Sequence, residues 1–344
     1  MKLKITVNPA LEVPVYKQLI QSIEQLVNQG VYLDGDFLPS MNELSHDLSI
    51  SKETVKKAYS LLREKGLIES AHGKGFYITS KANAGKTKVL VLFDKLSTYK
   101  FVLYRSFTEH VDENVNVTIH LHNQDPDVFE ILLQENLGNF DYYIITAHFS
   151  QDAKVQERVL RLLKKIPNRK LILLDSHIGK LSGNFGAVYQ DFEHDVYQGL
   201  LQAMQYLRKY SKLQVLSSPG SLYGLAITAG IRKFCDDNQL SYEFHNIINE
   251  TNIRHGEVYL VLNSQLDVEL IELIRIAKAK NLRIGHDIGI ISYNEAPINE
   301  IILDGLTVLS TDFKEMGRLA AEMLVSGKLR KVRNPFGLIL RKTL

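Results

Sequence analysis

The stretch from Leu38 to Ile78, LPSMNELSHDLSISKETVKKAYSLLREKGLIESAHGKGFYI, constrains the fold of this chain more than any other. Ser40 and Glu43 have the spacing of a capping box, in which the hydroxyl takes an orphan amide of the first turn and the carboxylate reaches back. Leu44 and Leu48 then fall on one helical face. Ser49, Ile50 and Ser51 form a turn, and Ser51 is a favoured N-cap for the next helix. On that helix Val55, Ala58, Leu61 and Leu62 make an inward stripe, while Lys52, Lys56 and Lys57 lie on the opposite face. Gly66 ends it, where a left-handed residue is needed. Leu67-Ile68-Glu69 and Phe76-Tyr77-Ile78 are short strand signals around a Gly73-Lys74-Gly75 tip. A capped helix, a three-residue turn and a second helix with cations near its start is the pattern that presents a recognition helix to a major groove.

A further helix precedes this stretch. Pro14 sits in its first turn, where a missing N–H costs nothing, and Tyr16, Leu19, Ile20, Ile23, Leu26 and Val27 follow helical spacing up to Gly30. Three helices and a two-stranded hairpin make a winged helix. Between Ser51 and Lys81 there are seven cations and three anions, a local net charge of +4 within a chain whose formal net charge is only +2. A basic stripe on a helix-turn-helix is the electrostatic footprint of phosphate binding.

With 344 residues, more than one domain is expected. The chain is predicted to comprise a winged helix-turn-helix over 1–79, a small polar linker over 80–87 and a second domain over 88–344. From Lys88 onward continuous apolar runs (Val89 to Phe93, Tyr142 to Ile145, Leu171 to Leu174, Gln214 to Leu216, Val258 to Leu262, Ile288 to Ser292) alternate with helical patterns. Such runs are those of buried parallel strands, and alternation of β and α implies right-handed crossovers. The fold class expected is α/β, two parallel-sheet lobes behind an N-terminal winged helix, with ligand-bearing side chains at the carboxyl ends of strands.

Cys235 is the only cysteine, which leaves no intrachain disulfide and reads as a small buried hydrophobe. No apolar run is long enough to span a bilayer and no signal-peptide pattern opens the chain, so a cytoplasmic protein with no membrane partner is expected. The eleven histidines are scattered, and no metal site is expected. Phosphate-cradling glycine loops and a G-x-S-x-G elbow are absent, which leaves nucleotide binding and serine catalysis unsupported. No cofactor and no enzymatic activity are expected.

The segments PVYKQLIQSIEQLVNQG, LPSMNELSHDLSISKETVKKAYSLLREKGLI and GKGFYI together resemble the DNA-binding domain of the GntR family of bacterial transcription factors, over about the first 80 residues. The resemblance implies that Ser51, Lys52, Thr54 and Lys56 occupy recognition-helix positions and Gly73 the wing tip. Ser40, Asn42, Lys57 and Lys74 complete the candidate DNA-contacting set. This chain departs from the family's usual Arg at Asn42, Lys52 and Lys56. Lysine lacks the planar fork that reads guanine bidentately, so affinity is expected to rest heavily on phosphates.

The later segments DIGIISYNEAP, LTVLSTDFKEMGRLAAEML and FGLILRKT resemble the C-terminal half of LacI/GalR-type regulators, whose ligand domain has the type I periplasmic sugar-binding fold. A GntR-type head on such a body is similar to the arabinose repressor subfamily. The resemblance implies an effector held between the lobes by Asp94, Asp175, Asn263, Ser264 and Asn294 at strand ends, with Thr311 in a crossover between lobes. His148 and His177 follow strands and could face the same cleft. An aromatic wall could come from Tyr99, Phe101, Tyr104, Phe149 or Tyr293. Asp191 reads as a hinge or cap residue. Many relatives have Asp at Ser264 and Asn294 and an Arg shortly before the glycine at Gly230, where this chain has Leu225, Ala226 and Ile227. A missing Arg disfavours an anionic ligand and points to a small neutral monosaccharide, a pentose or deoxyhexose.

The expected function is that of a homodimeric repressor of carbohydrate-utilisation genes that binds double-stranded operator DNA and responds to that sugar. An activator with the same domains is not distinguishable from sequence. An enzyme fused to a GntR-type head would require an aminotransferase-like body longer than this one, and a transport-type binding protein would not carry a DNA-binding head.

Overall fold

The computed structural model describes residues 5–9, 11, 13–28, 31–71, 75–79, 86–176, 179–217, 222–262 and 268–344. Gly30, Gly73, Lys74, His177, Asn263, Ser264 and the linker residues 80–85 lie outside them. The chain divides into two compact units, Met1–Lys86 and Thr87–Leu344.

The first unit has helices α1 (Val15–Asn28), α2 (Met41–Asp47) and α3 (Lys52–Glu64) and an antiparallel hairpin, β1 (Ile68–Ala71) with β2 (Gly75–Ile78). Both elements of the capping box form: the Glu43 amide donates to the Ser40 hydroxyl at 3.2 Å and the Ser40 amide to the Glu43 carboxylate at 2.8 Å. Ser51 caps α3 by accepting from the Thr54 amide. Gly66 adopts φ 68° just past α3, and the Leu67 amide reaches back to the Leu62 carbonyl. Leu19, Ile23, Leu44, Val55, Ala58 and Leu62 form the core. Tyr59 belongs to that core: it is buried, meets Phe76 edge-on at 5.1 Å, and its hydroxyl donates to the Pro39 carbonyl. A single bridge between Phe37 and Tyr77 adds a third short strand to the wing.

The second unit contains two six-stranded sheets among the described residues. The first has β3 (Thr87–Phe93), β4 (Val115–Leu121), β5 (Tyr142–Thr146), β6 (Leu171–Asp175), β7 (Gly186–Tyr189) and β13 (Lys331–Arg333), all parallel, in the order 13-7-6-5-3-4. The second has β8 (Lys212–Leu216), β9 (Tyr242–His245), β10 (Glu257–Val261), β11 (Gly289–Tyr293), β12 (Thr307–Thr311) and β14 (Phe336–Ile339) in the order 14-12-11-10-8-9, with β14 antiparallel. Alternate side chains of each sheet feed two apolar layers. In the first lobe α4 (Thr98–Glu109) and α10 (Phe313–Ser326) cover one face, and α5 (Pro126–Asn136) and α6 (Ala153–Leu163) the other. In the second lobe α7 (Phe192–Leu207) and α8 (Gly224–Asp237) cover one face and α9 (Val268–Ala279) the other. No helix among the described residues is long and apolar enough to cross a membrane.

The chain crosses between lobes three times, after β7, after β12 and after β13. One residue, through its side chain and its backbone amide, ties these crossings together. The Asn334 carboxamide nitrogen donates to the Thr311 hydroxyl and the Asp312 carbonyl, both at 2.9 Å, and the Asn334 amide donates to the Tyr189 carbonyl at 2.8 Å. Arg333 also reaches across from the first lobe, its Nε 3.0 Å from the buried Asp195 carboxylate on α7. Burial pushes the Asp195 carboxyl up, and the Arg333 guanidinium only partly opposes this. Asp191 and Asp312 cap the helices that follow the first two crossings.

Helix α10 lies against α4 with almost no space between backbones. A Cβ on Gly317 would stand 2.3 Å from the Leu103 carbonyl oxygen and 2.9 Å from the Phe107 nitrogen. Both obstacles are backbone, so relief requires the helices to move apart. Gly317→Ala is expected to destabilise the second unit by about 1–3 kcal/mol, as overpacking does. Urea unfolding should show a lower midpoint at unchanged slope; an unaltered midpoint would mean that the helix pair yields freely.

Candidate functional site

On the first unit, α3 presents Lys52 and Lys56 as exposed side chains, with Lys56 3.8 Å from Glu53. Lys57 lies over the Tyr16 ring, 4.1 Å from its centroid, so its aliphatic stem packs on α1. Ser51 and Thr54 share a hydroxyl–hydroxyl hydrogen bond of 2.7 Å at the start of α3. Ser40 is engaged in its capping box, and Asn42 is exposed one residue into α2. The set therefore divides into Ser40, which caps α2, Ser51 and Thr54, which shape the start of α3, and the cations that α3 carries.

On the second unit, buried charges gather at the carboxyl ends of β3, β5 and β6. Asp94 follows β3, His148 follows β5 and Asp175 ends β6. Lys100, one turn into α4, lies between the two carboxylates with its ammonium fully buried. It donates a short hydrogen bond to Asp175 Oδ2 and stands 3.4 Å from Asp94 Oδ1. His148 closes the ring, with Nδ1 3.4 Å from Asp94 and Nε2 3.4 Å from Asp175. Thr146 donates to Asp94 Oδ1 at 2.9 Å, and Gln190, at the first crossing, makes a short hydrogen bond to Asp175.

Burial alone would raise both carboxyl pKa values. The Lys100 ammonium, helped by His148, overrides burial and holds Asp94 and Asp175 well below the usual carboxylate range. Burial likewise opposes the charge on Lys100, and the two carboxylates outweigh it and raise its pKa. His122 lies behind the ring, stacked 4.5 Å from Phe149, with Nε2 donating to the Thr146 carbonyl. Burial pushes it down to about 4, so it is neutral at physiological pH.

The second lobe contributes aromatic and neutral polar groups to the same region. Tyr223, at the start of α8, meets His148 edge-on at 4.9 Å and stacks on Phe192 at 4.1 Å. Among the described residues Gln190 Oε1, whose side-chain amide nitrogen bonds Asp175, lacks a protein partner, as do Tyr293 OH and Asn294 Oδ1 at the end of β11 and Asn334 Oδ1 at the crossings. Each such atom costs on the order of 1–3 kcal/mol. Buried polar groups are ordinarily hydrogen-bonded, so each of these atoms is an exception. Asp175 and Asn294 also share a left-handed backbone, φ 73° and 72°, at the ends of corresponding strands.

Of the residues read from sequence, Asp94, His148 and Asp175 come together in this ring. Tyr99 is next to it and stacks on Phe313 at 4.7 Å. Asn294 stands at the facing strand end. Thr311 is buried and bonded into the crossings by its hydroxyl. Phe101 is 56% exposed on α4, turned away from the ring. Phe149 and Tyr293 are buried, and Tyr223 with Phe192 makes the aromatic surface instead. Lys100, Thr146, Gln190 and Tyr223 escaped sequence reading. Lys100 alone left a signal: it precedes Leu103 and Phe107 on the inner stripe of α4, where a cation demands a buried partner.

Two strand-end arrays facing one another across three tied crossings define a two-lobed binding domain, and the unit before it is a winged helix. Residues 15–78 match the bacterial regulatory proteins of the gntR family, and residues 262–343 match the periplasmic binding protein-like domain. The HTH-type transcriptional repressor YtrA of Bacillus subtilis (strain 168) is 38% identical over 78 residues, which are 23% of this chain and 60% of that protein. The chain thus spans less than two thirds of that relative. The dimeric Lac repressor with an 11-residue C-terminal deletion has the same fold over 74% of this chain and 98% of its own, with a TM-score of 0.59 at 16% identity. So does the LacI family transcriptional regulator from Lactobacillus casei with bound sucrose, over 75% and 99%, with a TM-score of 0.56 at 17% identity. The chain joins a GntR-type helix-turn-helix domain to a periplasmic-binding-protein-like domain of the architecture found in LacI-family repressors.

The charge ring sets a pH window. Asp94 and Asp175 have depressed pKa values, so their stabilisation is complete above the unfolded carboxylate value of about 3.9 and is lost as pH falls toward the folded values. Lys100 has a raised pKa, so its contribution is complete below about 10.4 and is lost as pH rises through the folded value. Unfolding free energy of the second unit should hold between these limits and fall outside them. Lys100→Met leaves two buried carboxylates unpaired, at a cost of about 3–5 kcal/mol, and should move the acid transition to higher pH. An acid transition unmoved by this substitution would show that the ring does not carry the pH dependence.

Proposed function

We propose that this protein is a DNA-binding transcriptional regulator, a repressor of carbohydrate-utilisation genes, whose affinity for its operator is set by a small neutral sugar bound between the lobes of the second domain. The observation that carries the reading is the buried Asp94–Lys100–Asp175–His148 ring at the strand ends of the first lobe, met from the second lobe by Tyr223. Polyols are bound by fixed donors and acceptors beside an aromatic surface, and Asp94, Asp175, Asn294 and Tyr223 are of those kinds. Two carboxylates against one ammonium leave no surplus positive charge for an anionic ligand. The sucrose carried by the Lactobacillus casei regulator supports a sugar for this fold.

The head acts through α3, with Lys52 and Lys56 on phosphates and the helix start held by Ser51 and Thr54. The protein works as a homodimer, in keeping with the dimeric Lac repressor, because two recognition helices must meet half-sites one helical turn apart. The sugar shifts the population toward closed lobes by binding that state better, and the dimer geometry that follows changes operator affinity.

Selection from a random DNA pool should return a two-fold symmetric sequence, and adding the cognate neutral monosaccharide should change the gel shift on it. If no monosaccharide alters either DNA affinity or thermal stability, the effector reading fails. Binding should weaken steeply with salt. Lys56→Ala should reduce the slope of log affinity against log salt by about 0.9 for each phosphate that is no longer neutralised. An unchanged slope would place Lys56 off the backbone.

A further inference from the structure

Lys100 holds a hydrogen-bonding capacity that the described residues do not use, the Tyr99 ring standing 6.0 Å from its nitrogen. An ammonium carries three N–H donors. The Asp175 carboxylate takes one, and Asp94 faces the nitrogen at 3.4 Å. The third has no acceptor among the described residues, although the nitrogen is fully buried. An unspent donor on a buried charge is costly, and this one lies between Asp94 and Asp175 at the strand ends.

The carboxylates on either side have complementary spare capacity, since each ionised group accepts at several lone-pair positions. Around one point there are thus acceptors on Asp94 and Asp175 and a donor on Lys100. A group that gives protons to the former and takes one from the latter is a pair of neighbouring hydroxyls. A carboxylate or phosphate would meet Lys100 favourably and be repelled by both aspartates; an ammonium would meet the reverse. Tyr223, brought from the second lobe against His148, adds an aromatic face beside these groups.

We infer that Lys100 is an effector-contacting residue, donating its third N–H to an oxygen of a vicinal diol whose hydroxyl hydrogens go to Asp94 and Asp175. The inference rests on the proposed effector reading and adds to it a donor that completes the diol contacts of Asp94 and Asp175. The test is a thermal-shift titration of the full chain and of Lys100→Met with L-arabinose, L-fucose, D-xylose, D-galactose and D-glucose, followed by a crystal structure of the unaltered chain with whichever sugar raises its transition. Support is an affinity at least roughly tenfold weaker in Lys100→Met, the scale of a missing charged hydrogen bond, and a sugar oxygen within hydrogen-bonding distance of Nζ. Undiminished affinity in Lys100→Met, or a complex in which Nζ still meets only the two carboxylates, overturns the assignment and leaves the effector reading standing. If Lys100→Met does not fold, the complex alone decides. If none of the five sugars raises the transition of the unaltered chain, both readings fall together.

Discussion

A fully buried ammonium between two buried carboxylates is the arrangement on which the strand-end face of the first lobe depends. Removing these charges from water is expensive, and their mutual attraction repays the cost only when the geometry is fixed by further hydrogen bonds. Thr146 and Gln190 supply those bonds from β5 and from the first crossing. The ring therefore couples β3, β5, β6 and α4 at the one edge of the sheet where backbone groups run out of strand partners. Apolar residues of similar volume would stabilise that edge at least as well, so stability alone does not account for the charges. They do provide an array of donors and acceptors whose positions are set before any ligand arrives.

The two lobes repeat one plan with different chemistry. Their sheets share a strand order, and the fourth strand of each ends in a left-handed residue, Asp175 in one and Asn294 in the other. Aspartate and asparagine tolerate that backbone better than other side chains bearing a Cβ, so the turn and the polar tip come from the same residue. The buried lysine–carboxylate ring belongs to the first lobe. The second lobe answers with Tyr223 on Phe192 and with unpartnered amide and phenol groups. One jaw fixes polar orientation and the other offers an apolar face.

The winged helix was legible nearly residue by residue, because Ser40, Glu43, Ser51 and Gly66 act locally and each carries its own mechanism. The central strands were legible as apolar runs. What escaped was structure whose residues must satisfy distant partners. Helix α4 was hidden because Lys100 interrupts its apolar stripe. Edge strand β4 was hidden because its side chains are mostly half-buried or exposed. In the site, Asp94, Asp175 and Asn294 could be placed at strand ends by pattern. Lys100 and Tyr223 could not, since their roles follow from interactions with residues 75 positions away in the chain in one case and across the lobes in the other. Asn334 carried no periodicity at all, yet it ties the crossings.

That last residue has a mechanical consequence. With the Thr311 hydroxyl, the Asp312 carbonyl and the Tyr189 carbonyl all bonded to Asn334, the three connecting strands form a pivot and not three independent tethers. Sliding one lobe over the other would stretch every one of these bonds at once. Rotation about the pivot leaves them nearly unchanged. A rotation of a few degrees there is an arc that lengthens with radius, so the far rims of the lobes move much further than the atoms touching a ligand near the axis. The domain is in this sense a lever whose short arm is the proposed binding site.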